Sequence, residues 1–257
     1  MRKILQAAAV VALGITSSPT QAVSSTPVLI ELFTSEGCSD CPAADAVLEK
    51  LIVTQPVSGA EVVGLGEHVD YWDQLGWKDR FSSAALTNRQ HVYGASLALE
   101  SVYTPQMVVD GRAHFVGSDG NAARRAIERA VGSPHGTVAI AMESSARGVA
   151  VTATAGNLPK PGRGDRADIV VAITEDHLRS SVTRGENHGR TLTHVAVVRS
   201  MTTIGEAAAD GPSTARAEIP IAADWQRDQL KIVAFVQERR GRAILASAWA
   251  PLQNARR

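Results

Sequence analysis

The sequence predicts a fold in two parts, an α/β domain at residues 27–132 and an all-β, immunoglobulin-like sandwich domain at residues 137–252. The first observation is an alternation of strand-length apolar runs with helical periodicity, in the order β-α-β-α-β-β-α. The second is a series of short apolar runs after residue 137, separated by Gly, Pro, Asn and Asp. A Ser-Pro-His-Gly stretch at 133–136 marks the boundary between the parts.

The composition is that of a globular protein without an extreme surface charge. The chain has 257 residues, 44% of them apolar, and its 26 basic and 26 acidic residues cancel. This balance argues against a basic surface for nucleic acids, so we expect no nucleic-acid partner. Two cysteines are too few for a disulfide-stapled scaffold. No apolar stretch beyond the N-terminus reaches about 18 residues, so we expect no stable membrane insertion after leader removal.

The N-terminus has the pattern of an export signal at residues 1–22. Arg2 and Lys3 form the positive region, an apolar run from Ile4 to Ile15 follows, and Thr20–Ala22 provides a small-residue cleavage site. About twelve apolar residues are too few to span a bilayer, which argues against an anchor. We therefore expect a secreted bacterial protein, periplasmic in a Gram-negative host, in a compartment where disulfides persist.

Each element of the first part has its own signal. The apolar run 28–33 predicts a buried strand, and helical spacing of apolar residues predicts a helix at about 39–52. An Asp-Gly pair at 110–111 is typical of a tight hairpin turn, and Ser118 or Asp119 is a suitable helix cap. The other predicted elements are a strand at 61–69, a helix within 78–99, hairpin strands at 107–109 and 113–116, and a helix that ends at 131.

The second part shows no helical periodicity. Its apolar runs follow one another at the short spacing of an antiparallel sandwich. The predicted strands are 138–142, 149–154, 167–173, 191–200, 215–221, 230–236 and 243–249.

Cys38 and Cys41 are the strongest chemical signal in the sequence. They lie on the predicted turn between a buried strand and an amphipathic helix, where C-x-x-C is typical of a thioredoxin-like redox centre. One helical turn brings the two sulfurs within bonding distance. Free N–H groups at a helix start stabilise a thiolate, so we expect Cys38 to act as the nucleophile. Cys41, one turn further in, would then resolve the mixed disulfide.

Two other roles for this pair remain open. An inert disulfide could staple the turn, although closing a four-residue loop contributes little stability. A soft-metal site for copper or zinc is the other role, because His68 could join Cys38 and Cys41 as a third ligand. A second cysteine pair, which would make zinc a strong prediction, is lacking. The sequence otherwise indicates no cofactor.

Asp40 lies between the two cysteines and bears on the direction of exchange. A carboxylate beside the nucleophile opposes its ionisation, unlike the histidine found at this place in strong oxidants. A less stable thiolate means a more stable disulfide. We therefore expect a reducing or intermediate potential.

Three further polar residues could tune the thiols. Glu31 is an acid inside an apolar strand, where it could accept a proton from Cys41 or could instead face solvent or pair with a base. His68 and Asp70 lie at the exit of the second strand and point the same way if the strand persists. They could act on the thiols from the floor of the site, or His68 could be an ordinary buried histidine.

Thr104 and Pro105 come directly before the hairpin. A proline at this point, in a chain with C-x-x-C on a βα turn, is where thioredoxin-like folds place a cis peptide bond, and X-Pro is the bond type for which cis is accessible. The backbone of Thr104 would then be presented to an extended substrate beside Cys38. The alternative is an ordinary trans proline at a strand entry.

A polar string at 186–190 lies in the second part of the chain. We interpret it as a hairpin loop rather than as a site. The remaining histidines are scattered without the spacing of metal ligands, and none is interpreted as catalytic.

Four strings give the sequence a resemblance to a known family. They are Glu31–Cys38, His68–Asp73, Leu75–Asp79 and Tyr103–Gly111. With them the chain resembles a secreted bacterial thioredoxin-like family that has only a domain-of-unknown-function name, and 184–192 extends the resemblance over essentially the whole mature chain. The resemblance implies the fold, export and a cysteine pair, and it supplies no substrate. The chain departs from thioredoxin itself, whose centre reads Trp-Cys-Gly-Pro-Cys.

Three function classes follow. The first is an enzyme that exchanges thiols and disulfides on cell-envelope proteins, with Cys38 attacking and Cys41 resolving. The second is a periplasmic metal-binding protein that uses the same cysteines and His68. The third is a non-catalytic interaction module. The sequence names no partner beyond protein thiols or disulfides.

Overall fold

The computed structural model describes residues 25–145, 147–208 and 210–252. The predicted export signal at residues 1–22 lies outside the described residues. Within them, no helix is long and apolar enough to cross a membrane. The first elements in chain order are β1 (Thr26–Thr34), α1 (Cys41–Thr54), β2 (Ala60–His68), α2 (Ala84–Ser96), β3 (Gln106–Val109), β4 (Ala113–Val116) and α3 (Gly120–Val131).

The remaining described elements are strands, apart from one short 3-10 turn. They are β5 (Thr137–Ser144), β6 (Gly148–Gly156), β7 (Ala167–Glu175), β8 (Leu178–Ser181), β9 (Thr191–His194), β10 (Val197–Ala207), β11 (Ser213–Pro220), β12 (Leu230–Glu238) and β13 (Ile244–Pro251). All seven predicted runs of the second part contain strand. The sequence missed β8, and the run predicted as one strand at 191–200 is two strands, β9 and β10.

One mixed sheet of eight strands runs through the molecule in the order β13-β12-β7-β10-β2-β1-β3-β4. β1 is parallel to β2 and antiparallel to β3. The two halves of the sheet meet at β2 and β10, which are parallel and pair at Gly66 and Val197. The Gly66 N–H donates to the carbonyl oxygen of Ala196 at 2.7 Å. β5, β6 and β11 form a second sheet, and β8 and β9 form a two-stranded ribbon.

The predicted fold class, a thioredoxin-like α/β domain followed by an immunoglobulin-like sandwich domain, is wrong. The described residues are mostly β structure with three α-helices, and the eight-stranded sheet takes strands from both predicted parts. The physical reason lies at β2, whose backbone groups pair with β10 rather than remaining an unpaired edge. The three-stranded sheet does pack on another sheet, but that partner is the far half of the large one.

The apolar cores follow from the alternation of side chains along the strands. In β1, Val28, Ile30 and Leu32 face α1 and α3. Leu29 faces the opposite side and shares a buried cluster with Leu86 of α2 and with residues of β7 and β12. The two halves of the chain therefore share a hydrophobic core on the α2 side.

The structure confirms the sequence predictions that depend on residues a few positions apart. The hairpin between β3 and β4 turns at Asp110 and Gly111, both with positive φ, as an Asp-Gly turn requires. Asp119 caps α3, its side chain accepting a hydrogen bond from the Ala122 N–H at 2.9 Å. The predicted element order of the first part is present in the structure.

Candidate functional site

Cys38 and Cys41 form a disulfide at the N-terminal end of α1. Their Cα atoms are 5.4 Å apart. The turn is held by the Cys38 N–H, which donates to Ser35 O at 3.2 Å, and by the Cys41 N–H, which donates to Cys38 O at 3.3 Å. Pro42 lies in the first turn, where a missing N–H costs little. Cys38 is 2% exposed and Cys41 is fully buried, so other residues cover the disulfide and shield it from solvent.

Part of that cover is the segment between β8 and β9, residues 182–190, which we call the covering loop. The buried side-chain amide of Asn187 donates to two carbonyl oxygens of the cysteine turn, those of Glu36 at 2.9 Å and Cys38 at 2.8 Å. The carboxylate of Glu186 accepts a hydrogen bond from the Ser39 N–H at 3.0 Å. The polar string at 186–190 lies in a hairpin loop, as predicted, and two of its residues contact the cysteine turn.

A buried cluster of ionisable groups adjoins the cysteine turn. His194 Nε2 lies 3.2 Å from Glu36 Oε1, and His194 Nδ1 lies 3.5 Å from Asp45 Oδ2. Burial alone would lower the pKa of His194, but the carboxylates of Asp45 and Glu36 outweigh burial and raise it to about 9. Burial alone would raise the pKa of Glu36, but its hydrogen bonds, of which those with His194 and Trp77 are two, together outweigh burial and lower it. The cluster therefore holds the protonated imidazole of His194 beside the ionised carboxylate of Glu36 at neutral pH.

His68 belongs to the same cluster. Its Nδ1 lies 2.6 Å from Asp79 Oδ2, and its ring packs edge-on against His194, with the ring centroids 4.9 Å apart. Asp79 also accepts hydrogen bonds from the N–H groups of Glu36 and Phe81. Burial alone would raise the pKa of Asp79, but the charge of His68 and these hydrogen bonds lower it. His68 thus connects to the cysteine turn through Asp79 and Glu36.

Trp72 lies between the cysteine turn and the Thr104–Pro105 bond and contacts both. The predicted cis bond between Thr104 and Pro105 is present. Trp72 Nε1 donates to Thr104 Oγ1 at 2.8 Å, and a Cβ at Gly37 would lie 3.0 Å from the Trp72 Cβ. The structure therefore brings the residue before Cys38 and the residue before Pro105 to the same side chain, that of Trp72.

Glu31 lies on the other face of the sheet from α1. Its neighbours Ile30 and Leu32 face that helix, so the strand alternation directs Glu31 towards α2. There Arg89 Nε donates to Glu31 Oε1 at 2.6 Å, and the Tyr93 hydroxyl donates to Oε2. Of its two predicted environments, the structure shows pairing with a base rather than a place beneath the helix of Cys41.

Asp40 and Asp70 are both outside the buried cluster. Asp40 is exposed at the start of α1, and its side chain makes no capping hydrogen bond. Asp70 accepts a hydrogen bond from Thr87 Oγ1 at 2.6 Å, which connects the end of β2 to α2. Asp40 lies on the chain between the two bonded cysteines with an exposed side chain, whereas Asp70 bonds to α2 rather than joining His68.

The structure gives no support to a metal site formed by Cys38, Cys41 and His68. Across residues 25–145, 147–208 and 210–252, no group of three or more His, Cys, Asp and Glu side chains is arranged to hold a metal ion. The two sulfurs are bonded to each other, and His68 Nδ1 is held by Asp79.

Sequence reasoning missed six residues around the cysteine turn, namely Glu36, Asp45, Asp79, Glu186, Asn187 and His194. Two of them carried a local signal. Glu36 precedes Cys38 by two positions, and Asp45 follows Cys41 by four, which places Asp45 and Cys41 on one face of α1. Asn187 and His194 come from the far end of the chain, and only the fold brings them to the turn.

Together the fold and the site define a class of protein, a mixed-sheet protein with a covered C-x-x-C disulfide at a helix start. Residues 29–237 match the family model described as "Protein of unknown function (DUF1223)", and the chain belongs to this family. A search of curated proteins gave no match.

Two solved structures are similar to the chain. A crystal structure of an Agrobacterium tumefaciens protein has 27% sequence identity and a TM-score of 0.68, and the match covers 91% of this chain and 97% of that one. A domain of the outer membrane lipoprotein Omp28 from Porphyromonas gingivalis has 14% identity and a TM-score of 0.32, and covers 48% of this chain and 92% of its own. The second likeness is too weak to support an argument.

Proposed function

We propose that this protein is an exported thiol–disulfide exchange protein that acts through Cys38 and Cys41 on thiols or disulfides of cell-envelope proteins. The observation that carries the proposal is the position of the disulfide. The only two cysteines of the chain are joined at the N-terminal end of α1, where helix N–H groups favour a thiolate. A cluster of charged groups that includes His194 adjoins the same turn.

The exchange balances as a two-electron transfer. In the reducing direction, the Cys38 thiolate attacks one sulfur of a substrate disulfide, forms a mixed disulfide and releases the other substrate sulfur as a thiolate. Cys41, after losing its proton, then attacks Cys38 Sγ, releases the second substrate sulfur and forms the Cys38–Cys41 bond. The protein is oxidised, and the substrate disulfide is reduced to two thiols. The reverse sequence oxidises a substrate dithiol.

The cover over the disulfide limits which reagents can reach it. Cys38 is 2% exposed, and Asn187 of the covering loop holds the carbonyl oxygen of the same residue. Attack on Cys38 Sγ by a protein thiol therefore requires the covering loop to move. We expect small thiols to reduce the disulfide faster than bulky ones.

The test is an equilibrium redox titration of the purified chain, read by alkylation and mass. A reversible two-electron transition between roughly −120 and −270 mV, the range of known exchange proteins, supports the proposal and gives its direction. A pair that stays oxidised below about −300 mV behaves as a structural disulfide and overturns it. Cys41→Ser supplies the second measurement, because it should accumulate a mixed disulfide at Cys38, whereas Cys38→Ser should not.

A further inference from the structure

A carboxylate of the covering loop binds the backbone beside the nucleophilic cysteine. Glu186 Oε2 accepts a hydrogen bond from the Ser39 N–H at 3.0 Å, across 147 positions of sequence. Asn187, the next residue, is fully buried and donates to two carbonyl oxygens of the same turn. Because Asn187 anchors the loop, Glu186 is held against Ser39 although its own side chain is exposed.

The position of this carboxylate opposes the usual effect of a helix start on a cysteine. N–H groups at this end of a helix present partial positive charge, which lowers the pKa of a nearby thiol. Here the N–H that follows Cys38 donates to Glu186 instead. The hydrogen bond with Ser39 lowers the pKa of Glu186, so the group that occupies this N–H is an ionised carboxylate.

The carboxylate is close enough to act on the sulfur. Ser39 N and Cys38 Sγ are separated by four covalent bonds, so they are at most about 5 Å apart. With the 3.0 Å hydrogen bond, Glu186 Oε2 lies within roughly 8 Å of Cys38 Sγ. This is about one Debye length at physiological ionic strength, so the two charges interact.

We infer that Glu186 is a redox-tuning residue, whose carboxylate on the Ser39 N–H disfavours the Cys38 thiolate and holds the cysteine pair in a more reducing state. This inference rests on the proposed exchange function. Glu186 acts through the Ser39 backbone and touches no substrate, so it is a positioning residue rather than a catalytic one.

The sign and the pH range of the effect follow from the charge. Glu186 penalises the thiolate and leaves the neutral thiol nearly unaffected, so it changes the redox equilibrium only where Cys38 is ionised. Loss of the charge should therefore stabilise the reduced protein above the pKa of Cys38 and have no effect well below it. A purely structural effect on the disulfide would shift the equilibrium at every pH.

The test compares wild type with Glu186→Gln, in which the side-chain oxygen can still accept the Ser39 hydrogen bond without the charge. The matched control is Glu143→Gln, which removes the same charge from an exposed pair with Arg216 on the three-stranded sheet. Redox equilibria of the full chain against glutathione are measured from pH 6 to pH 10, and the pKa of Cys38 is measured from the pH dependence of its alkylation rate.

We expect Glu186→Gln to lower the pKa of Cys38 and to raise the equilibrium constant for reduction roughly two- to tenfold at alkaline pH. Tenfold corresponds to about 30 mV for two electrons. The shift should vanish well below the measured pKa of Cys38 and should shrink at about 1 M salt, where an exposed charge is screened. The control should follow wild type. The other charged or titratable groups near the turn, which are the same in all three proteins, are Glu36, Asp40, Asp45, His68, Asp79, Arg190 and His194.

Two results overturn the inference. One is a reversible couple whose equilibrium and Cys38 pKa are unchanged in Glu186→Gln, and the other is a shift of equal size at every pH. Neither result contradicts the proposed exchange function. A pair that cannot be reduced reversibly in wild type overturns both proposals and is visible before any variant is made.

Discussion

Asn187 donates its side-chain N–H to the carbonyl oxygen of Cys38 at 2.8 Å, across 149 positions of sequence. The same amide nitrogen donates to Glu36 O at 2.9 Å. One fully buried side chain therefore satisfies two carbonyl oxygens of a turn that has few backbone partners of its own. The conformation of the cysteine turn thus depends on the covering loop as well as on α1.

Asn187→Ala should destabilise the protein by about 1–3 kcal/mol, because the buried carbonyl oxygen of Glu36 loses its side-chain donor and that of Cys38 keeps only the Cys41 N–H. It should also speed reduction of the Cys38–Cys41 disulfide by a small thiol, since the covering loop loses its anchor. Chemical denaturation of the oxidised protein measures the first effect, and timed alkylation measures the second. Asn88→Ala, on the exposed face of α2, is the control and should stay within about 0.5 kcal/mol. Unchanged reduction kinetics would show that the loop does not limit access.

The raised pKa of His194 predicts a loss of stability at alkaline pH. Its folded pKa is about 9, against an ordinary value of 6.5. The protonated form is therefore favoured by folding, and its contribution is fully present below about pH 6.5 and is lost as the pH rises through about 9. The contribution is at most roughly 3 kcal/mol.

The measurement is the free energy of unfolding from pH 6 to pH 10 for wild type and His194→Gln. We expect the wild-type value to fall over this range and the variant to be less stable at pH 6 with a flatter profile. His91→Gln, an exposed histidine on α2, should reproduce the wild-type slope. Parallel profiles for wild type and His194→Gln would contradict the predicted ionisation of the buried cluster.

Glu31 and Glu67 share a buried site with Arg89. We expect substitution by Gln to have different effects on stability at the two positions. Burial alone would raise the pKa of Glu31, but the charge of Arg89 and the hydrogen bonds that Glu31 accepts together outweigh burial and lower it. Burial and the charge of Glu31 raise the pKa of Glu67 well above its ordinary value, so Glu67 holds a proton that the unfolded chain releases at neutral pH. Glutamine resembles a protonated glutamate.

Glu67→Gln should therefore stay within about 1 kcal/mol of wild type at pH 5 and become more stable relative to it as the pH rises. Glu31→Gln should cost about 3–5 kcal/mol at pH 7, because Arg89 loses its ionised partner in the core. Denaturant unfolding at pH 5 and pH 8 measures both variants. If both variants lose the same amount of unfolding free energy, the buried proton does not belong to Glu67 and the assignment is wrong.

The sequence predicted those parts of the fold that neighbouring residues decide. The Asp110–Gly111 turn, the Asp119 cap and most strands depend on residues a few positions apart. The pairing of β2 with β10 did not have such a signal, because it consists of one residue pair, Gly66 with Val197, and main-chain hydrogen bonds that carry no side-chain pattern. The error in fold class follows from this one contact, which joins the two predicted parts into one sheet.

The residues of the candidate site also fall into those that the sequence could predict and those that it could not. Cys38, Cys41 and the cis bond before Pro105 were accessible to sequence reasoning because each has a local signature. His194 and Asn187 were not, since each has an ordinary sequence context and reaches the turn only through the covering loop and β9. Glu31 was also noticed from the sequence, as an acid in an apolar strand, but its role was not. It belongs to a buried ionic cluster with Arg89, on the face of the sheet away from α1.

Gly111 provides a test of the contact between the β3–β4 hairpin and the C-terminal strands. Its φ is +65°, and a Cβ at this position would overlap the carbonyl oxygen of Arg242 in the turn between β12 and β13. Gly111→Ala should therefore destabilise the protein by about 2–4 kcal/mol, from backbone strain and steric overlap together. Gly120→Ala is the matched control, because a Cβ there meets nothing within 4 Å, and it should change the free energy of unfolding by less than about 1 kcal/mol. If both variants unfold at the wild-type denaturant concentration, the hairpin is not packed against the β12–β13 turn, and the continuity of the shared core would have to be reconsidered.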